Sequence, residues 1–160
     1  MADTHSVERG AEVRFPPPLV FLGGILLGVA VGSVVVPAPV PLNRTISAIG
    51  GVLLVIAGLS LIGSARIHFT RTGQNPIPWK PSPELILQGP YRLTRNPMYL
   101  GVTLVELGLG VAVNNLWISV FAVPALVIVH VIAVLPEERY LSEKFGASYK
   151  AYLAQVRRYL

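Results

Sequence analysis

The sequence predicts an all-α, polytopic membrane protein with about four transmembrane helices and a cytoplasmic amphipathic helix at its C-terminal end. The 160-residue chain is 52% hydrophobic, and its mean hydropathy is +0.60. Only 13% of its residues are charged, whereas about 25% is usual in soluble domains. The apolar residues also form long runs and not the amphipathic patterns of a soluble protein. We therefore expect most of the chain to lie in a bilayer.

The first two predicted spans are residues 16–36 and 44–66, close to the roughly 20 residues that a transmembrane helix needs. Prolines 37, 39 and 41 separate them, because proline cannot continue a helix. Small residues in the second span would let another helix approach closely. Residues 1–15 carry charges of both signs, unlike the basic start of a signal peptide, and are predicted to be a cytoplasmic tail.

The third and fourth predicted spans form a helical hairpin. The third, from residue 97 to about 113, is short for a span and is expected to tilt little or to begin at headgroup depth. Residues 114–115, both asparagine, make the turn. The fourth, residues 116–135, contains Pro124, where we expect a kink, and stops at Pro136.

Two segments are predicted to be structured outside the spans. Residues 67–96, with two glycines and five prolines, read as a cytoplasmic interfacial loop. Residues 136–160 read as an amphipathic helix, because apolar and aromatic residues recur every three or four positions with charges between them. We predict that this helix folds back over the cytoplasmic end of the bundle, although lipid headgroups would satisfy the same pattern.

Positive charge predicts the orientation of the chain. Of its 13 Lys and Arg residues, only Arg44 adjoins the loop between the first two spans, and none lies in the turn at residues 114–115. The positive-inside rule therefore places both termini in the cytoplasm. We expect a multi-pass protein of a prokaryotic plasma membrane with a single domain, residues 97–135 forming its transmembrane hairpin.

The composition also excludes several functions. The chain has no cysteine, so disulfides, thiolate metal sites and a cysteine nucleophile are excluded. His5, His68 and His130 share no ligand-like spacing, and no metal site is predicted. The net charge of +5 comes from residues that flank apolar runs, so nucleic acid is not an expected partner. The sequence has no evident internal repeat, so an inverted-repeat transporter is not predicted.

A polar cluster lies at the start of the third span. It comprises Tyr91, Arg92, Arg95, Asn96, Pro97 and Tyr99. Guanidinium groups, an amide and phenols beside the free N–H groups of a helix start would bind a carboxylate or a phosphate. Alternatively, the arginines anchor to lipid phosphates and the tyrosines form an interfacial belt.

A second cluster, Glu137 and Glu138, follows the fourth span. Adjacent carboxylates beside a bilayer cost free energy unless they are solvated or matched to donors. They would bind hydroxyls, an ammonium or a sulfonium. Alternatively, they form a solvated helix start, where the helix dipole favours acidic side chains.

Two further polar residues lie deeper in the apolar segments. Glu106 is in the middle of the third span, where a charge is costly, so we expect it to be protonated, bonded to another helix or facing water. His130 precedes Glu137 by seven residues and so lies on roughly the same helix face. Both are candidate substrate contacts, and a structural role is the alternative for each.

Two motifs in the second half of the chain are those of a known family. The first is Gly89-Pro90-Tyr91-Arg92 with Arg95-Asn96-Pro97-Met98-Tyr99-Leu100-Gly101, and the second is Glu137-Glu138, Leu141, Phe145-Gly146, Tyr149, Tyr152 and Val156. They resemble the isoprenylcysteine carboxyl methyltransferase family, within a wider set that includes phospholipid methyltransferases. Gly73-Gln74-Asn75-Pro76 also looks like the glycine-to-proline loop of that family. The resemblance covers residues 71–160.

The resemblance implies an integral membrane methyltransferase that uses S-adenosyl-L-methionine without a Rossmann sheet. The acceptor would be a lipophilic carboxylate or amine that enters from the lipid bilayer. Cofactor contacts are expected from Tyr91, Arg92, Arg95, Asn96, Pro97, Tyr99, Glu137 and Glu138. Of these, Arg95, Asn96 and Tyr99 are the expected catalytic residues.

Two positions depart from the family pattern. Many members have histidine where this chain has Asn96, and asparagine cannot act as a general base near neutrality. Eukaryotic prenylcysteine enzymes have an arginine associated with the substrate carboxylate at the position of Gln155, which is therefore a candidate substrate contact here.

Two other functions stay open: a non-catalytic lipid-binding membrane protein, and a small transporter with Glu106 as its coupling residue. The sequence leaves the oligomeric state undetermined.

Overall fold

Helices account for the regular structure of the chain. The computed structural model describes residues 10–13, 15–73, 77 and 79–159, and within these residues there is no strand. The all-α prediction is confirmed. The helices are α1 (Pro17–Ala30, extended by a π turn at Val31–Val35), α2 (Arg44–Arg71), α3 (Pro97–Ala112), α4 (Leu116–Val129, extended by a π turn at His130–Val134) and α5 (Leu135–Gln155). A 3₁₀ turn, Gly89–Arg92, lies between α2 and α3.

Three of these helical stretches are long and apolar enough to cross a membrane, namely Pro17–Val35, Arg44–Arg71 and Leu116–Gln155. Helix α3 is apolar but shorter, as predicted. Large aliphatic side chains on the outer helix faces are exposed, among them Leu26, Ile46, Leu53 and Val123 at about 60%. These faces match the hydrocarbon interior of a bilayer, since lipid chains are as apolar as the side chains.

Helices α2 and α3 pack with their backbones in contact. A Cβ atom added to Gly51 would lie 2.6 Å from the carbonyl oxygen of Gly108, and one added to Gly58 would lie 2.5 Å from that of Gly101. Side chains at these positions would push the helices apart. The small residues of the second span thus allow α2 and α3 to pack closely, as the sequence predicts.

Helix α2 is longer than predicted, because it continues past residue 66 to Arg71. Polar side chains in its last turns bond to helix carbonyls: His68 Nδ1 lies 2.7 Å from the Ser64 oxygen, and the Thr72 hydroxyl donates to the Phe69 oxygen. Gly73, with φ of +67°, then ends the helix in the left-handed conformation that glycine adopts readily. The helix carries the chain out to the interfacial loop.

The prediction that the fourth helix stops at Pro136 is wrong. The helix runs from Leu116 to Gln155 through the π turn at His130–Val134, and it also passes through Pro124 without ending. Proline lacks an N–H, and its ring crowds the preceding turn. The wider π turn directly before Pro136 accommodates that ring, so the helix projects beyond the predicted span.

The C-terminal helix ends earlier than predicted and is bent. Gly146 has φ of +50° and ψ of −118°, which interrupts helical geometry inside α5. The helix ends at Gln155, and Val156 is extended. The following residues are held by bonds to the start of α3, which replace the bonds that a longer helix would make.

The turn between α3 and α4 closes one end of the bundle. Asn114 has φ of +61°, and its side-chain oxygen accepts from the Val40 N–H at 3.0 Å. Asn115 caps α4 by accepting from Trp117 N–H, and its amide donates to the Gly28 oxygen at 3.2 Å. The other end of the bundle contains the interfacial loop, the start of α3 and helix α5.

Candidate functional site

A cavity of about 320 Å³ lies at the end of the bundle opposite the Asn114-Asn115 turn. We call it the interfacial cavity. The residues of the two sequence motifs that line it are Tyr91, Arg95, Asn96, Pro97, Met98, Tyr99, Glu137 and Leu141. Ala11, Pro16 to Pro18, Phe69, Ile77, Trp79, Ser82 and Tyr140 complete its wall. The fold therefore brings both motifs to one cavity with a mainly apolar lining.

Tyr99 and Glu137 form the hydrogen-bonded pair at the centre of this wall. The phenol of Tyr99, in the first turn of α3, donates to a carboxylate oxygen of Glu137, in the first turn of α5. Burial is the main cause that raises the pKa of Glu137; the Tyr99 hydrogen bond lowers this pKa and the neighbouring Glu138 charge raises it, and the net pKa is about 7. Glu137 follows the apolar run 116–135, and with this pKa it can change charge near neutral pH.

Glu138 is held by two arginines. Its carboxylate lies 3.2 Å from Nη1 of Arg95 and accepts two bonds from Arg158, at 2.9 Å from Nε and 2.7 Å from Nη2. Glu138 does not line the interfacial cavity, so its predicted contact with the cofactor stays a prediction. Through its ion pair with Arg95, Glu138 helps to orient the Arg95 guanidinium. A bidentate pair fixes direction as well as distance.

Arg95 retains an unused donor. Its Nε atom is buried and has no hydrogen-bond partner among the described residues, although its Nη1 atom reaches Glu138. Leaving a buried donor unpaired costs about 1–3 kcal/mol. Because Arg95 lines the cavity, its guanidinium is placed to attract an anionic group of a ligand.

The C-terminal segment Val156–Tyr159 runs along the start of α3. The Arg95 N–H donates to the Arg157 oxygen at 3.0 Å, and the Asn96 amide donates to the Arg158 oxygen at 3.1 Å. The buried Thr94 hydroxyl donates to that same oxygen at 3.0 Å. Asn96 therefore contributes to the site partly by holding this segment in place.

A layer of tyrosines joins α5 to the 3₁₀ turn. Tyr149 and Tyr152 are buried, and the Tyr152 hydroxyl donates to the Tyr91 main-chain oxygen at 2.7 Å. Burial raises the pKa of Tyr152 to about 12 and raises that of Tyr91 as well, so both phenols stay protonated at neutral pH. Tyr152 thus joins α5 to the 3₁₀ turn, and the folding of this helix back over the cytoplasmic end of the bundle stays a prediction.

Besides Glu138, four predicted site residues do not line the cavity. His130 Nδ1 lies 3.0 Å from the Tyr159 hydroxyl, which ties the π turn to the C-terminal segment. Glu106 is 1% exposed, packs beside Gly24 of α1, and has no hydrogen-bond partner for either carboxylate oxygen. Arg92 and Gln155 border a separate depression of about 360 Å³.

Several residues of the site are absent from the sequence-based prediction. Ala11, Trp79 and Tyr140 line the cavity, while Thr94 and Arg158 hold the segments that frame it. Aromatic residues are common at the edge of a membrane, so Trp79 and Tyr140 could have been suspected from the sequence, whereas a single alanine gives no such indication.

Residues 74–76 of the predicted glycine-to-proline loop, and residues 1–9 and 14 of the tail, lie outside the described residues. Within the described chain, no group of three or more His, Asp and Glu residues could hold a metal ion.

Comparison with known proteins identifies one family. Residues 46–148 match the family model for phospholipid methyltransferases. The match begins inside α2 and extends into α5, so it includes the Tyr91–Tyr99 region and Glu137. It excludes Ala11 and the Val156–Tyr159 segment. No curated protein matches the chain.

Proposed function

Because the chain belongs to the phospholipid methyltransferase family, we propose that it transfers a methyl group from S-adenosylmethionine to a lipophilic acceptor in the membrane. The observation that carries this proposal is the interfacial cavity, where the Tyr99–Glu137 pair and the Arg95 guanidinium share one space of about 320 Å³. Pockets for small molecules typically measure about 300–1,000 Å³, are mainly apolar and contain a few placed polar groups.

The residues of the cavity fit the polar groups of the cofactor. S-adenosylmethionine carries a carboxylate, an ammonium, a sulfonium and ribose hydroxyls. The Arg95 guanidinium suits the carboxylate, and the Glu137 carboxylate suits the ammonium or the hydroxyls. The rings of Phe69 and Trp79 line the same cavity and offer faces for a cation or an adenine.

The chemistry requires alignment more than a covalent intermediate. When bound, the cofactor supplies an electrophilic methyl group on a positively charged sulfur. Arg95 and Glu137 would fix its position, and the apolar wall would keep water out, which favours an in-line displacement. Glu138 and Arg158 would keep the Arg95 guanidinium in place through their ion pairs.

The acceptor is proposed to be a carboxylate or an amine attached to an apolar body. A carboxylate is already ionised at neutral pH and needs no base. An amine must lose a proton, and Glu137 would be the group that takes it, because it lines the cavity and titrates near pH 7. Gln155 lies outside the cavity, so it gives no support to a prenylcysteine carboxylate as the acceptor.

Direct binding of S-adenosylhomocysteine, the product form of the cofactor, tests the proposal. Isothermal calorimetry on the detergent-solubilised protein is expected to show binding. Arg95→Ala and Glu137→Ala should each weaken it at least about tenfold, roughly 1.4 kcal/mol. The matched controls are Arg139→Ala and Glu143→Ala, exposed charges on α5 that do not line the cavity.

The outcomes separate the alternatives. Folded protein that binds anionic lipid vesicles but no S-adenosylhomocysteine would support a lipid-binding protein and overturn the proposal. A transporter instead predicts that Glu106→Gln abolishes flux while cofactor binding persists. Equal affinity of all four charge variants and the wild type would remove the interfacial cavity as the cofactor site.

A further inference from the structure

The N-terminal segment Gly10–Val13 is built into the end of the bundle that holds the interfacial cavity. Ala11 is 3% exposed and Val13 is 7% exposed. Both belong to an apolar cluster with Phe21 of α1 and Tyr140 of α5. This segment lies outside residues 46–148, so the family match says nothing about it.

Gly10 holds this segment against the interfacial loop. Its φ is +81°, and an added Cβ atom would lie 2.6 Å from the carbonyl carbon of Trp79 and 2.7 Å from that of Lys80. Only glycine meets both the backbone conformation and the lack of space. The main chain of the segment therefore touches the main chain of the loop beside Trp79, which itself lines the cavity.

Ala11 is the residue of this segment that lines the cavity. The next residue, Glu12, is exposed, and Val13 is buried in the apolar cluster without lining the cavity. Three adjacent positions thus have three different environments. Because interiors are packed to near crystal density, a longer side chain at Ala11 must either enter the cavity or displace its wall.

We propose that Ala11 forms part of the wall of the cofactor cavity and limits the size of the molecule that the cavity accepts. This rests on the proposed function, since it assigns the cavity to S-adenosylmethionine. The small side chain of Ala11 leaves room in the cavity, while Gly10 keeps the segment against the main chain of Trp79 and Lys80. The segment also helps exclude water, because it closes the gap between the loop and α5.

The test introduces the same side chain at two adjacent positions of the full-length protein. Ala11→Leu is expected to weaken S-adenosylhomocysteine binding, measured by calorimetry in detergent, at least about tenfold. Glu12→Leu, the matched control on the exposed side, is expected to stay within about twofold of the wild type. Ala11→Val, with a smaller added volume, should fall between them and serves if the leucine variant does not fold.

A third variant separates the cavity from general packing. Val13→Ala removes buried methyl groups from the apolar cluster and should lower the thermal unfolding midpoint, with affinity within about twofold of the wild type. If the Ala11 variants bind as tightly as Glu12→Leu, the inference is overturned and the proposed function stands. If the folded wild type does not bind S-adenosylhomocysteine, the proposed function fails and this inference with it.

Discussion

Arg158 and Glu138 join the C-terminal segment to helix α5 through a bidentate ion pair, with N–O distances of 2.9 and 2.7 Å. The same carboxylate lies 3.2 Å from Arg95 in the wall of the interfacial cavity. Arg158 thus affects the candidate site through Glu138 and does not line the cavity itself. This relationship makes residues near position 158 relevant to ligand binding.

Arg158→Ala is expected to weaken S-adenosylhomocysteine binding about threefold to tenfold, because Glu138 would then pair with Arg95 alone and draw its guanidinium away from the ligand. The effect is modest since the Arg158 side chain is 37% exposed and its ion pair is partly screened. Arg157→Ala is the control, because only the main-chain oxygen of Arg157 bonds to Arg95. Calorimetry that finds equal affinities for the two variants would contradict a positioning role for Arg158.

Glu137 should make the stability of the protein depend on pH. Burial raises its pKa from the ordinary 4.5 to about 7, so the folded state binds a proton more tightly than the unfolded state. The stabilisation is complete below about pH 4.5 and is lost as the pH rises through about 7. Thermal unfolding between about pH 5 and pH 8 should show a smaller decline for Glu137→Gln than for the wild type. Glu143→Gln, an exposed change on the same helix, should keep the wild-type slope.

Gly24 and Glu106 should be energetically coupled. An added Cβ atom at Gly24 would lie 2.5 Å from Oε1 of the buried Glu106, so Gly24→Ala is expected to cost about 1–3 kcal/mol. In a Glu106→Ala background the same change should cost less, because space has opened, with a coupling of at least about 0.5 kcal/mol. Gly23→Ala, whose added atom would meet nothing within 4 Å, is the control. Additive unfolding free energies in the double variant would contradict the packing contact.

Asn115 should matter for stability and not for ligand binding. It caps α4 and also donates to the Gly28 oxygen of α1, so Asn115→Ala is expected to cost about 1–2 kcal/mol. Asn43→Ala removes the equivalent exposed cap of α2, where the side chain accepts from Thr45 N–H, and should cost less. Unfolding measurements would rank the two variants, while S-adenosylhomocysteine affinity should stay within about twofold for both. A large loss of affinity in Asn115→Ala would show that the two ends of the bundle are coupled.

The sequence predicted the helices more accurately than it predicted where they end. The start of α3 at Pro97 and the Asn114-Asn115 turn were predictable because proline and asparagine have strong local preferences. The passage through Pro136 was not, because it depends on the π turn before that residue. Likewise, α5 ends early because the extended chain after Gln155 bonds to the start of α3, a contact between residues far apart in sequence.

By itself, the sequence determined that the chain is a helical membrane protein and which polar residues are candidates for the chemistry. Composition and local preference are enough for both, since each depends on single residues and short patterns. Only the tertiary structure decided that Tyr99 bonds to Glu137, that Glu138 pairs with Arg95 and Arg158, and that Glu106 lies apart from the cavity. Those outcomes depend on which helix faces meet, and side-chain packing between distant segments sets that arrangement.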